Sequence, residues 1–299
     1  MTRPAILYSP AYRADIGSHV FPMEKYAALA GRLRRDGTGD GFEWLEPAPA
    51  ERADLALVHT EKYLDSFYSL RMDSHTWDSE IPLTSELRDA FLLMTGGTVQ
   101  ASRLALESGV AVNLGGGFHH AMPDRAEGFC YVNDLAVATR VLMRDRLVQR
   151  ALVVDCDLHQ GNGTARIFGG DSDVYTFSIH QEDLYPMKET STMDIGLRNF
   201  VRDAEYLDLL AGALNRIFSN FTPHIVLYQA GADPFEGDQL GSLRVTKKGL
   251  ETRDRMVLEA CAARKVPLAV TLGGGYAADF NDTVEIHANT VRGAADFHG

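Results

Sequence analysis

The chain has 299 residues and carries 29 Lys and Arg against 41 Asp and Glu, a formal charge of −12 with the histidines neutral. Hydrophobic residues at 45% and aromatics at 9% supply a substantial core, which excludes a disordered or collagen-like chain. The acidic balance excludes non-specific nucleic-acid binding, which needs a basic face, and favours a cationic partner.

The opening MTRPAILYSPAY lacks an apolar stretch long enough for a signal peptide, and no run of 18 apolar residues follows that would insert into a membrane. Short apolar runs then recur: AILY (5–8), LALVH (55–59), VAVNL (110–114), ALVVD (151–155), VYTFSI (174–179), IVLYQ (225–229) and PLAVTL (267–272). Their continuous apolar character predicts strands covered on both faces. Helical spacing between them predicts helices over 85–108, 134–145, 204–218 and 247–264. In the last, Thr246 is placed to cap, and Leu250, Met256, Val257 and Ala260 fall near one face. Alternating β and α units predict an α/β three-layer sandwich around a mostly parallel central sheet. Length alone allows one large domain or two small ones, but no linker or repeat breaks the pattern, so a single domain over 1–299 is expected. The polar, turn-rich segments 72–82 and 181–196 read as surface loops. Cys130, Cys156 and Cys261 match neither a redox nor a zinc-knuckle spacing, and an odd count cannot fully pair within one chain. A reduced, cytoplasmic protein is the simplest expectation.

Polar groups follow the strands. VAVNL runs into GGGFHH with His119 and His120, and ALVVD into CDLHQGNG with Asp155, Asp157 and His159. IVLYQ runs into AGAD with Asp233, and PLAVTL into GGGY with Tyr276. Ligands bind beyond the carboxyl ends of parallel strands, so these exits should converge. If the DxDxH segment stays extended, its spacing points Asp155, Asp157 and His159 to one side. A lone DxD reads equally well as two solvated turn aspartates. Here it interrupts an apolar strand, where unpaired carboxylates are costly to bury and a divalent cation removes the problem. Only one of these two aspartates is needed as a ligand if Asp233 supplies another oxygen; the other can orient a histidine. Two imidazoles after three glycines suit acid–base work, with Asp155 and Asn162 as partners, while Tyr276 would donate to a developing oxyanion. No GxGxxG, P-loop or GxSxG spacing occurs.

GGGFHHA (115–121), GFCYVND (128–134), VDCDLHQGNGTARIF (154–168), AGADPFEGDQLGSL (230–243) and LGGGY (272–276) together resemble the zinc-dependent histone deacetylase superfamily, with its arginase-like fold. HQGNG and FPMEKY (21–26) look most like the class IV branch and its bacterial relatives. The resemblance implies one Zn2+ held by Asp157, His159 and Asp233. It implies His120 as general base and acid, His119 as its electrostatic neighbour, and Tyr276 as the group polarising the scissile carbonyl. Phe129 and Tyr185 would wall a tunnel for an acylated lysine, with Gly128 and Gly274 as further substrate contacts. A K+ near Asp155, Asp157, His159 and Ser178 is also implied. The implied reaction removes acetyl or longer acyl groups from the lysine side chain of a peptide or protein. Its rivals are an acetylpolyamine amidohydrolase and a catalytically silent acyl-lysine binding module; arginase-like ureohydrolysis would want DxHxD where this chain has DxDxH. The chain departs from class I members in Gln160 and Asn162, where those have a second His and an Asp. Segment 74–82 does not read like the family's loop, and contacts from Trp77 or Asp78 stay unassigned. Because an acylated lysine is neutral, the acidic surface can attract only charges flanking it.

Overall fold

The computed structural model describes residues 3–297. In chain order its elements are β1 (Ala5–Leu7), α1 (Lys25–Arg35), β2 (Glu43–Leu45), α2 (Arg52–Leu55), α3 (Glu61–Tyr68), α4 (Ser85–Ser108), β3 (Val110–Asn113), α5 (Asp134–Arg144) and β4 (Ala151–Asp155). There follow α6 (Asn162–Phe168), β5 (Val174–Gln181), β6 (Met193–Leu197), α7 (Asp203–Asn220), β7 (Ile225–Gln229), α8 (Lys247–Ala262), β8 (Leu268–Thr271) and α9 (Phe280–Asp296). The strands form one sheet in the order β2-β1-β3-β8-β7-β4-β5-β6, and every pairing is parallel.

Successive strand residues face opposite sides, so a strand buried on both must be apolar throughout. In β4, Leu152 and Val154 join a core with Leu33 of α1, Leu210 of α7, Val257 of α8 and Val291 of α9. Ala151 and Val153 pack on the other face with Leu135 and Leu142 of α5. Ala101 and Ala105 of α4 cover Ala5, Ala111 and Ala269 on that same side. This is the three-layer α/β arrangement that the apolar runs predict. Among the described residues no helix is long and apolar enough to cross a membrane.

Three expectations need correcting. LALVH (55–59) is not a strand: it closes α2 in a helical turn, with His59 N donating to Leu55 O at 2.8 Å, and Thr60 then caps α3. A short apolar run does not distinguish strand from buried turn. Segment 181–196 is not all loop, because β5 runs to Gln181 and β6 starts at Met193. β6 and β2 lie at the sheet edges and are partly exposed, so neither shows a continuous apolar run. Helices α1, α3, α6 and α9 escaped the spacing argument altogether. Thr246 does cap α8, accepting from Gly249 N at 3.0 Å. The buried face of α8 nevertheless includes Arg253 and Asp254 beside Leu250 and Val257, while Met256 and Ala260 are only partly buried.

Candidate active site

Strands β3, β8, β7 and β4 are neighbours at the centre of the sheet, and the four polar exits read from the sequence leave these strands. The DxDxH residues do not converge by extending β4, which ends at Asp155. Instead the chain coils through two successive Asx turns: Asp157 N donates to Asp155 Oδ1 at 3.1 Å, and His159 N to Asp157 Oδ1 at 2.9 Å. This coil sends Asp155 toward His119 and sets Asp157 and His159 against Asp233, whose Oδ1 accepts from Leu158 N at 2.9 Å.

Asp157, His159 and Asp233 are buried and offer ligand atoms within 4.8 Å of one another. His159 Nδ1 lies 3.2 Å from Asp157 Oδ1 and 3.3 Å from Asp233 Oδ2, and that last oxygen makes no hydrogen bond. Burial and then the Asp157 charge push the Asp233 carboxyl up to about 7. Burial opposes a charge on His159, yet the two aspartates win and raise it to about 10. Two buried carboxylates with an orphaned oxygen and one imidazole thus call for positive charge. Their O,N,O donor set fits a divalent ion with an open position.

His119 and His120 follow the glycine turn after β3. His119 Nδ1 meets Asp155 Oδ2 at 2.6 Å, and the two Nε2 atoms are 3.0 Å apart. His120 Nδ1 meets Asn162 Oδ1 at 2.7 Å, and Asn162 Nδ2 donates to Glu127 Oε1 at 2.7 Å, which fixes the amide's orientation. Asn162 Oδ1 can only accept, so His120 carries its proton on Nδ1 and leaves Nε2 as an acceptor. The proton between the two Nε2 atoms therefore sits on His119. The electrostatics agree: burial opposes charge on both rings, but Asp155 and Asp157 raise His119 to about 9. His120 falls well below the usual histidine value through burial and the charges of His119 and His159.

Tyr276 is buried after β8, its backbone N donating to Asp238 Oδ2 at 2.7 Å. Burial and then Asp233 push its phenol pKa well up, so it remains a donor. Phe129 packs 5.9 Å from the Tyr276 ring, and Tyr185 packs 5.3 Å from His120 and 6.2 Å from His159, centroid to centroid. Gly128 and Gly274 hold positive φ of 53° and 45°. A Cβ on Gly128 would stand 2.6 Å from Tyr185 Oη, and one on Gly274 would stand 2.4 Å from Asp157 Oδ2, so both turns admit only glycine. His119, His120, Gly128, Phe129, Asp157, His159, Tyr185, Gly274 and Tyr276 line one cavity of about 300 Å³. Asp155, Asn162 and Asp233 stand behind them, and Ser178 pairs with Asp155 in the β4–β5 register.

Four contributors escaped the sequence reading. Glu127 holds Asn162, and Asp238 holds the Tyr276 backbone. Lys25, fully enclosed, donates from Nζ to Gly274 O at 2.6 Å, and burial pulls its pKa down to about 8 against the pull of Asp233 and Asp157. Arg253 of α8 reaches under the sheet: its guanidinium donates to Gly231 O at 2.6 Å and Cys156 O at 3.2 Å while pairing with Asp254 at 2.8 Å. Lys25 carries a signal only in lying within FPMEKY; a buried Arg on an otherwise ordinary amphipathic helix carries none.

The Histone deacetylase domain model matches residues 19–291. An uncharacterized protein of Picosynechococcus sp. is 40% identical over 98% of this chain and 99% of its own length. Histone deacetylase 2 of Arabidopsis thaliana is 30% identical over 92% of this chain and 75% of its own. Among solved structures, an HDAC homolog complexed with SAHA superposes with a TM-score of 0.83, covering 99% of this chain and 84% of that one at 23% identity, a likeness of fold.

Proposed function

The chain belongs to the histone deacetylase family of amide hydrolases, and from that premise we propose that it removes acetyl or longer acyl groups from the side-chain nitrogen of lysine. The observation that carries the reading is the meeting, at one cavity, of an acceptor Nε2 on His120, the donor phenol of Tyr276 and the Asp157–His159–Asp233 cluster, whose first two members line the cavity while Asp233 stands behind them. Bound by those three side chains, Zn2+ would supply Lewis-acid polarisation of the acyl oxygen and a more acidic water. His120 Nε2, its one lone pair passing from His119 to the attacking water, accepts that water's proton and returns it to the amine nitrogen as the C–N bond breaks. His119, held by Asp155, keeps a positive charge beside His120 and so keeps that ring neutral before attack. Tyr276 donates to the acyl oxygen as it gains charge. Phe129 and Tyr185 flank the substrate's aliphatic stem and exclude water from it.

Asp155 at the end of β4 and Ser178 beside it within β5, with Asp157 and His159, form the proposed K+ position. FPMEKY and HQGNG support a class IV-like assignment. The three buried free thiols fit a reducing, cytoplasmic setting.

A panel of acetyl-lysine peptide, longer acyl-lysine peptides and acetylpolyamine, assayed with zinc-loaded protein, tests the reading. Turnover of the lysine peptides is expected. A preference for acetylpolyamine would move the assignment to a small-molecule amidohydrolase. Stoichiometric zinc with no turnover in folded protein would leave an acyl-lysine binding module.

A further inference from the structure

Beside the catalytic cavity lies a groove of about 620 Å³ lined by Met72, Trp77, Asp78, Pro82, Arg125 and Met187, among others; Glu80 and Tyr185 line both spaces. Met187 at 89% and Trp77 at 68% are the most exposed large apolar side chains among the described residues, and Met72 and Tyr185 are exposed beside them. Such clustering at a site mouth marks a binding surface more than a solvent-facing accident. The platform is built rather than loose. Gly128 N donates to Asp78 O at 3.1 Å and Phe129 N to Ser79 O at 2.9 Å, so the Trp77–Glu80 turn is tied to the tunnel wall. Buried Ser79 donates to Tyr131 Oη at 2.7 Å and anchors it from beneath.

The charges in the groove are unequal. Arg125 is engaged by Glu127 at 2.9 Å and Asp124 at 3.4 Å. Asp78 and Glu80, both exposed, have no ion-pair partner among the described residues. An apolar platform with two free carboxylates at its edge complements an extended chain bearing a large apolar side chain and a cation. A free acylated polyamine has no apolar group to cover Trp77 and Met187, and a membrane surface would be repelled by the carboxylates.

We propose that this groove binds the polypeptide flanking the acylated lysine, seating a large apolar residue on Trp77 and Met187 and an Arg or Lys against Asp78 and Glu80. The proposal rests on the deacylase reading and narrows its substrate to peptide or protein. Three substrates test it on the zinc-loaded protein: an acetyl-lysine peptide with Phe and Arg flanks, the same peptide with Gly and Ser flanks, and acetyl-lysine methylamide. The Phe/Arg peptide should be preferred about tenfold in kcat/KM over the Gly/Ser peptide, as expected for one aromatic anchor. Trp77→Ala should abolish that preference through KM while leaving the methylamide within about twofold; Asp78→Asn should reduce its Arg component and its salt dependence. A flank preference below about twofold, an equal loss on the methylamide, or better turnover of acetylputrescine than of either peptide would overturn the proposal. So would a wild-type dimer in solution that Trp77→Ala converts to monomer, since the groove would then be covered by a second copy. If no acyl-amine is turned over, the deacylase reading falls, and titration of the Phe/Arg peptide into the protein still decides the groove. Trp77-dependent binding sustains it and no binding overturns it.

Discussion

His119 and His120 are adjacent in sequence, yet one faces Asp155 and the other Asn162. A carboxylate stabilises an imidazolium and a neutral amide does not, so the two rings divide into a charged neighbour and a neutral acceptor. The same contrast predicts the effect of restoring an anion. Asn162→Asp alone would set a new carboxylate against Glu127, so the clean variant pairs it with Glu127→Gln. An anion at Nδ1 raises the pKa of His120; because the base must be unprotonated, the acid limb of kcat/KM should move to higher pH by about one unit or more. A pH profile measures it, and an unmoved limb would show that His120 is not the titrating base. Tyr276→Phe should lower kcat about 10²- to 10³-fold with little change in KM, the pattern of a donor engaged in the transition state. Steady-state kinetics on one acetyl-lysine peptide suffice to check it. At this scale the residues that gather at the cavity were legible, because polar side chains directly after apolar strands stand out. Glu127 and Lys25 were not, since nothing local in a GFCY-flanking Glu or a helix-start Lys announces a partner more than 30 positions away.

Helix α8 shows how an element far from the chemistry fixes its geometry. Its Arg253 bridges the carbonyls of Cys156 and Gly231, which tie the exit of β4 carrying Asp157 to the exit of β7 carrying Asp233. Arg253→Ala should therefore cost about 3–5 kcal/mol, since it leaves Asp254 as a buried unpaired charge. Urea denaturation reads this directly. Central strands β3, β4, β7 and β8 were legible because burial on both faces demands unbroken apolar runs. Edge strands β2 and β6 were not, because β2 is only three residues long and opens on exposed Glu43, and in β6 exposed Asp194 alternates with Met193 and Ile195. Spacing placed Asp155, Asp157 and His159 together for a reason that does not operate: Asx turns, not an extended strand, bring the last two to Asp233.

For the whole molecule, an ion held by the cluster of two carboxylates and one imidazole would make metal binding part of stability. Ions bound only by the folded state stabilise it by mass action, about 2.7 kcal/mol at a free concentration of one hundred times Kd. Chelation should lower Tm by several degrees, and added Zn2+ should restore it. A scan with and without chelator decides the point, and an unchanged Tm would argue against an ion held by Asp157, His159 and Asp233. The charge of −12 pointed at a cation without saying where. Asp78 and Glu80, exposed at the rim of the cavity, are where the groove proposed above would receive it, beyond a neutral acyl group.

Strand β8 lies between β3 and β7, although about 150 residues separate it from β3 in the sequence. A nascent chain emerging from the ribosome can assemble β4, β5 and β7 early, and with them Asp157, His159 and Asp233, the three proposed ligands. The N-terminal strands have no partner across the gap until residues 268–271 arrive. Tyr276 follows five residues later, so a growing polypeptide can gather the proposed ligands well before the proposed oxyanion donor. The last seam to close is thus also the step that arms the cavity. Slow, long-range pairing of this kind favours a late, cooperative folding event over gradual maturation.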